Sequence, residues 1–221
     1  MTARSSVPPP APGSPPLVLY ADASWVSPYV FSCFVALHEK GLPFEARTID
    51  LDEGRHLEPP YRDRSLTAKV PALEHGDFWL TESSAIVEYL EDSFPLPIRV
   101  LPEAPRERAR ARQVMSWLRT DLLPLRRERP TRSMFFERAT EPLSEEATKA
   151  AEKLVRVAEA LIPLERTSLF PTFTVADADL AFCLHRLILN GHDVPTRVAA
   201  FAAAQWRRPS VRAFVERQRP A

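Results

Sequence analysis

The segment Ser27-Pro28-Tyr29 places a hydroxyl and a proline between a short apolar run and a helical pattern. Serine is a favoured N-cap and proline a favoured first helical residue, so capping alone explains both. A helix N-terminus also stabilises anions, and a hydroxyl there can donate a hydrogen bond to a thiolate and lower the thiol pKa. Residues 27–30 contain no cysteine, so the nucleophilic sulfur would have to come from a ligand.

Two further motifs combine polar side chains with special backbone positions. Pro71, in Lys69-Val70-Pro71, opens a strand pattern. It is either a strand-edge proline or a cis-proline that lets the Val70 backbone pair with a peptide-like ligand. In Thr81-Glu82-Ser83-Ser84, Thr81 is the predicted helix cap. The alternative is that Ser83 and nearby N–H groups hold a carboxylate while Glu82 lies near an amino group, which would bind an amino-acid terminus.

The elements around these motifs follow from hydrophobic periodicity. The pattern predicts a buried strand at Leu17–Ala21, a helix at Pro28–Lys40 and a second strand at residues 44–51, parallel to the first through the helical crossover. Two short strands, Ala72–Glu74 and Phe78–Leu80, and an amphipathic helix complete this half. The remainder is helical, with Ser144 as one N-cap and a nearly apolar, buried helix after Thr174.

This order predicts the fold class α/β plus all-α, a thioredoxin-like N-terminal domain followed by an all-helical C-terminal domain. Residues 1–16 contain six prolines and are predicted to be a flexible tail. We expect the first domain at 17–95, a proline-rich linker at 96–104 and the helical domain at 105–221.

Composition narrows the function classes. The 221 residues are 45% hydrophobic and 26% charged, as in soluble globular proteins, without a membrane-length apolar run or a hydrophobic leader. The two cysteines, Cys33 and Cys183, are predicted to be free thiols in a reducing cytoplasm. The histidines lack metal-ligand spacing, no glycine-rich phosphate loop occurs, and no basic stripe with interleaved aromatics favours nucleic acid.

Charge is unevenly distributed although the net charge is zero. Residues 1–100 hold 8 Lys/Arg against 14 Asp/Glu, a net charge of −6, and residues 101–221 hold 21 against 15, a net charge of +6. One explanation of this pattern is solvated helix faces. The alternatives are attraction of an anionic ligand and complementary docking between subunits.

In order and spacing, the motifs resemble the cytosolic glutathione transferases, and in particular the bacterial serine-type enzymes with SPY at the active-site turn. The series is SPYVFSCFVALHEKGLPFE, KVPAL, ESSAIVEYLE, the proline linker and FTVADADLAF. In the last segment, Thr174 and Asp177 fit the capping box of the family's buried helix. The similarity covers about residues 17–215.

The resemblance implies a role for each motif. Ser27 would stabilise the glutathione thiolate, and Val70, before a cis-Pro71, would pair with the cysteinyl backbone of glutathione. Glu82 and Ser83 would hold the γ-glutamyl end. In related serine-type enzymes the residue that reaches the glycine carboxylate lies fourteen positions before the Val70 equivalent, which is His56 here. Lys69 is the alternative for that role.

The same resemblance implies a second-substrate pocket between the domains. Trp25, Tyr29 and Trp117 would form its apolar wall, whereas Phe173 is better explained as core. Ser24 and Ser32 compete with Ser27 for the thiolate, but Ser32 lies more than one turn inside the helix. Tyr20 is not at the turn where tyrosine-type family members carry their hydroxyl.

The implied protein is a cytoplasmic homodimer that uses glutathione as co-substrate and no metal. It would activate the glutathione thiol for attack on a small apolar electrophile or a hydroperoxide, in detoxification or a stress response. It would bind neither nucleic acid nor membrane. The alternatives are a non-catalytic binding module of the same fold, and a glutathione-dependent isomerase or dehalogenase. Against the isomerase, Pro28 and Tyr29 replace the double-serine-cysteine turn of those relatives.

Overall fold

The computed structural model describes residues 16–95 and 98–220, so nearly all of the proline-rich tail lies outside the described residues. The chain divides into two compact units. The first unit contains the residues up to Trp25, Tyr29–Val100 and Pro220. The second contains Val26–Pro28 and Leu101–Arg219.

The first unit contains a mixed sheet of four strands among the described residues: β1 (Leu17–Asp22), β2 (Phe44–Ile49), β3 (Ala72–His75) and β4 (Phe78–Thr81). The strand order is β2-β1-β3-β4. β1 pairs parallel to β2 and antiparallel to β3, and β3 pairs antiparallel to β4. The predicted parallel crossover is therefore confirmed. All six residues of the central strand β1 are buried, whereas burial varies along the edge strand β2.

The helices of the first unit are α1 (Pro28–Glu39), α2 (Tyr61–Arg64) and α3 (Ser83–Ser93), and a 3₁₀ turn spans Arg55–Leu57. α1 buries every residue from Val30 to Leu37.

The prediction that Thr81 caps α3 is wrong. Thr81 is the last residue of β4, paired with Ala72, so its backbone belongs to the sheet and Glu82 takes the N-cap position.

A buried group of charges joins α1 to the segment after α3. The Lys40 Nζ lies 3.2 Å from the Glu91 Oε2, and both side chains are fully buried. Lys40 also donates to the Ile98 carbonyl at 2.9 Å, while Glu91 accepts from the Val100 N–H at 2.8 Å and from the Arg99 Nη1 at 3.1 Å. Burial lowers the pKa of Lys40, an effect that Glu91 opposes. We call these five residues the Lys40–Glu91 cluster.

The second unit is helical, with α4 (Pro105–Thr120), α5 (Leu123–Glu128), α6 (Arg132–Phe135), α7 (Glu145–Leu161), α8 (Val175–Ile188), α9 (Thr196–Trp206) and α10 (Pro209–Val215). The fold class predicted from the sequence is thus confirmed. As predicted, Ser144 caps α7 by accepting from the Ala147 N–H at 3.2 Å. No helix in the described ranges is long and apolar enough to cross a membrane.

The predicted central helix α8 is buried from Val175 to Leu187. Its capping box is present, and the Asp177 carboxylate accepts from the N–H and hydroxyl of Thr174, both at 2.8 Å, and from the Leu169 N–H at 2.5 Å. The box therefore satisfies groups at the helix start and also attaches the preceding loop to α8.

His185 on α8 should make the protein sensitive to acid. Its ring stacks on Trp206 with centroids 3.7 Å apart, and burial lowers its pKa to about 4. The unfolded chain, in which this pKa is about 6.5, binds a proton at His185 more readily than the folded protein does. Stability is therefore full above pH 6.5 and is lost as the pH falls towards 4. We expect this one group to account for a loss of about 2–3 kcal/mol between pH 7 and 4.5.

Urea unfolding at both pH values checks this expectation. His185→Phe keeps an aromatic ring against Trp206 but cannot titrate. Between pH 7 and 4.5 the variant should therefore lose about 2–3 kcal/mol less stability than the wild type. Identical pH dependence in the variant and the wild type would contradict the assignment.

Candidate functional site

The predicted site motifs meet at one end of the strands. The register pairs Tyr20 with Ala72, and Ala72 with Thr81. Ala72 directly follows Val70-Pro71, and Thr81 directly precedes Glu82-Ser83. β1 ends two residues after Tyr20, so the turn towards Ser27 leaves the sheet at this same end. Backbone pairing therefore brings together segments that are separated in the sequence.

The Val70–Pro71 peptide bond is cis, as the resemblance implies. Val70 is buried and lies two residues before Ala72, the buried first residue of β3. The segment ahead of it is fixed by Tyr61, whose hydroxyl donates to the Lys69 carbonyl at 2.6 Å. Burial raises the pKa of Tyr61 to about 12, so this hydroxyl remains a donor at neutral pH. Ala68 adopts a left-handed backbone conformation with φ +48°.

Glu82 and Ser83 form the start of α3. Ser83 is the buried first residue of the helix, and its carbonyl accepts from the Cys33 thiol at 3.7 Å. Glu82 is exposed at the N-cap, and its side chain does not cap the helix. The first-turn N–H groups have no intrahelical acceptor and point away from the helix, which is suitable geometry for a carboxylate.

Unusual backbone conformations are concentrated beside these motifs. Among the described residues, four that are not glycine have positive φ: Trp25, Ala68, Glu82 and Leu122. Trp25 lies two residues before Ser27, Ala68 directly precedes Lys69-Val70, and Glu82 is itself one of the predicted site residues. Such conformations are costly for residues with a Cβ atom and persist mainly where the surrounding structure enforces them, often at functional sites.

Ser27 lies immediately before α1, between the turn and Pro28, and is partly exposed. In that turn the Trp25 N–H donates to the Asp22 carbonyl at 3.1 Å. The competitor Ser32 is 1% exposed inside α1, whereas Ser24 is partly exposed in the turn. Exposure therefore argues against Ser32 as a ligand contact and leaves Ser24 as the natural control.

The two candidates for the glycine carboxylate differ in their surroundings. His56 lies in the 3₁₀ turn after β2, and its Nδ1 is buried without a hydrogen-bond partner in the described part of the chain. A buried unpaired nitrogen is costly, and a bound carboxylate would satisfy it. Lys69 is exposed.

The aromatic residues predicted to contact the second substrate differ in exposure and in their packing partners. Trp25 is 4% exposed and packs edge-on against Phe34 at 5.7 Å. Tyr29 is partly exposed. In the second unit, the Trp117 Nε1 donates to the Asp121 Oδ2 at 2.8 Å. Their role as a second-substrate wall stays a prediction.

Both units of the chain match domains of known proteins. Residues 26–93 match the N-terminal domain of glutathione S-transferase, and residues 105–218 match its C-terminal domain. A glutathione transferase homolog from Burkholderia, solved with bound glutathione, is 40% identical; the match covers 91% of this chain and 96% of that chain, with a TM-score of 0.74. The chain belongs to the glutathione S-transferase family.

Curated glutathione S-transferases match over a shorter range. Human theta-1 is 36% identical over 106 residues, which are 48% of this chain and 43% of the human protein. Glutathione S-transferase 1 of Dianthus caryophyllus is 38% identical over 91 residues, 41% of each chain. The chain thus spans less than half the length of these relatives. A theta-class structure from Xanthomonas axonopodis, 24% identical over 92% of this chain and 99% of that one, has a TM-score of 0.72 and the same fold.

The contact between Tyr61 and the Lys69 carbonyl was not predicted from the sequence, because residues 52–69 show no clear periodicity. We expect Tyr61→Phe to leave the Lys69 carbonyl unpaired and to loosen the segment before Val70. The cost of one such hydrogen bond is about 1 kcal/mol, so under the function proposed below KM for glutathione should rise about fivefold with kcat nearly unchanged. Steady-state kinetics measure both constants. An unchanged KM, or a fall in kcat alone, would contradict this positioning role.

Proposed function

We propose that this protein is a glutathione transferase in which Ser27 donates a hydrogen bond to the glutathione thiolate. The observation that carries the proposal is the placement of the cis Val70–Pro71 bond and the N-terminus of α3 side by side at one end of the sheet. Those two features suit a short peptide with a free amino-acid end. The Burkholderia homolog, whose structure holds glutathione, supports the same ligand.

The binding roles follow from donor and acceptor chemistry. The Val70 backbone pairs with the cysteinyl residue of glutathione as an added strand would. Ser83 and the first N–H groups of α3 hold the γ-glutamyl carboxylate, and the Glu82 carboxylate takes the neighbouring ammonium. His56 donates to the glycine carboxylate, with Lys69 as the alternative.

The chemistry requires the thiolate at neutral pH. Its sulfur forms a thioether with the electrophilic carbon of a small apolar substrate, and the leaving group departs with the bonding electrons. With a hydroperoxide, the sulfur attacks the O–O bond, and a second glutathione completes reduction to the alcohol, water and glutathione disulfide. We propose transfer as the main activity, with Trp25, Tyr29 and Trp117 contacting the electrophile.

Calorimetry with glutathione, followed by turnover with an aryl halide, an organic hydroperoxide and a disulfide, tests the proposal. Glu82→Gln should weaken glutathione binding about tenfold or more, because a charge-assisted hydrogen bond is lost. Asp77→Asn, an exposed carboxylate in the β3–β4 turn, is the matched control and should bind as the wild type does. Absence of glutathione binding, together with a stable protein partner in a pull-down, would favour the non-catalytic module instead.

An isomerase or dehalogenase would use the same glutathione site. Turnover of a maleyl or haloalkane substrate with no transfer to the aryl halide would favour that alternative.

We also propose a cytoplasmic homodimer, with a first domain that begins at residue 17 and a helical domain at 105–221, acting in detoxification or a stress response. The opposite net charges of residues 1–100 and 101–221 suit contact between unlike units of two copies. Leu66, exposed over 93% of its surface just before β3, is the apolar side chain that a second copy would cover. Sedimentation should show a dimer that Leu66→Ser weakens, and a monomer at both low and high salt would refute this state.

A further inference from the structure

A groove on the second unit is separate in sequence from every residue of the proposed glutathione site. It has a volume of about 650 Å³, within the usual size range for sites of small organic ligands. One wall is a stripe of α7 in which Thr148, Glu152, Val155 and Glu159 recur every three or four residues. The opposite wall comes from the end of α8 and the loop after it. α7 therefore has a second face, distinct from the core face that carries Ala147 and Leu154.

The floor of the groove is apolar. Leu187 is 2% exposed, and Leu143, Ala151 and Val155 are half-buried. A hydrocarbon or aromatic body placed there would remove the exposed parts of Leu143, Ala151 and Val155 from water. The groove therefore suits the apolar part of a small molecule.

One polar group in the groove has a fixed hydrogen-bonding role. The Arg129 Nε donates to the His192 Nε2 at 2.9 Å, and Arg129 is itself held by donating to the carbonyls of Glu128 at 2.9 Å and Glu141 at 2.6 Å. A guanidinium cannot accept, so the Nε2 is the acceptor and the hydrogen of the neutral ring is on Nδ1. Burial, reinforced by Arg129, lowers the pKa of His192 and favours that neutral ring. His192 thus offers an N–H donor to a ligand.

The charged residues at the groove are predominantly acidic. Glu152, Glu159 and Asp193 line it together with a single cation, Arg156. These four residues form no ion pair with another residue in the described part of the chain. The neighbouring lysines on α7 are engaged elsewhere, Lys149 with Glu145 and Lys153 with Asp121. Three carboxylates against one guanidinium favour a cationic ligand.

We propose that this groove binds a small amphipathic amine. The apolar body of the ligand would lie on the floor formed by Val155 and Leu187, a hydrogen-bond acceptor of the ligand would receive the His192 N–H, and the ligand ammonium would lie among the carboxylates. The three observations that define the ligand are independent of one another. The floor requires an apolar body, the fixed tautomer of His192 requires an acceptor, and the excess of carboxylates requires a positive charge.

Two fluorescent probes of nearly equal size test the proposal. Dansylcadaverine has an aromatic body, sulfonyl acceptors and an ammonium, and dansyl-6-aminohexanoate replaces the ammonium with a carboxylate. Each is titrated into the full chain with excess S-hexylglutathione present to fill the proposed glutathione site. At low salt the amine should bind about tenfold more tightly, since an exposed charge pair contributes up to about fivefold and the carboxylate probe both loses this attraction and is repelled.

Variants locate the site. Glu152→Lys/Glu159→Lys should abolish or reverse the preference for the amine, whereas Glu137→Lys/Glu165→Lys makes the same charge change at exposed positions outside the groove and should retain it. Val155→Trp fills the floor and should remove binding of both probes. The proposal is overturned by equal affinity for the two probes, by an unchanged preference in the groove variant, or by displacement with S-hexylglutathione. The charge variants keep the test decisive if Val155→Trp does not fold.

Discussion

Glu91→Gln should lower the free energy of unfolding by about 3–5 kcal/mol, because it leaves the Lys40 ammonium as an uncompensated buried charge. Both side chains are fully buried and the charged atoms are 3.2 Å apart. Glutamine keeps the shape of the side chain and an acceptor for the Val100 N–H, so the loss would report the charge rather than packing. For a protein of ordinary stability this is a large fraction of the total.

Urea unfolding at neutral pH measures the effect. The matched control is Glu145→Gln, which breaks an exposed i,i+4 pair with Lys149 and should change stability little. A loss of less than about 1 kcal/mol for Glu91→Gln would show that relaxation or water entry compensates the ammonium.

Ser27→Ala should reduce kcat/KM with an aryl halide roughly tenfold to hundredfold. A hydrogen bond to a charged group contributes about 1.5–3 kcal/mol, and in the proposed mechanism the thiolate is the charged partner of Ser27. The apparent pKa of the bound glutathione thiol should rise in the variant, which the ultraviolet absorbance of the thiolate records as a function of pH. Affinity for glutathione should change far less, since the proposed contacts to the glutathione backbone and carboxylates would remain.

Ser24→Ala, in the same turn and also partly exposed, is the matched control and should retain both activity and thiol pKa. If Ser24→Ala lost activity while Ser27→Ala did not, the thiolate partner would be Ser24. If neither variant changed the thiol pKa, the serine mechanism itself would be wrong.

Periodicity predicted the strands and the longer helices of the structure. The apolar run at 17–21, the helical spacing after Pro28 and the apolar helix after Thr174 all carry a signal because each of them is buried over most of its length and is therefore rich in apolar residues. The position of Val70-Pro71 and Glu82-Ser83 at the ends of strands was readable for the same reason. What the sequence could not provide was the register that places those ends side by side.

The features that sequence reasoning missed involve tertiary contacts. Lys40 and Glu91 are 51 residues apart, and charged residues are expected to be exposed, so neither carries a local sign of burial. Thr81 is a better cap than Glu82 by residue type, yet pairing of Thr81 in the sheet overrides that preference. Tyr61 lies in a helix too short to show a period.

The Lys40–Glu91 cluster also bears on where the first unit can be separated from the rest of the chain. Three of its five members, Ile98, Arg99 and Val100, follow residue 95, the predicted end of the N-terminal domain. A fragment cut at residue 95 would retain the buried ion pair but lose the carbonyl, guanidinium and N–H that complete its hydrogen bonding. We therefore expect this unit to fold independently only when the chain extends through Val100, so part of the proline-rich connection acts as the final structural segment of the domain that precedes it.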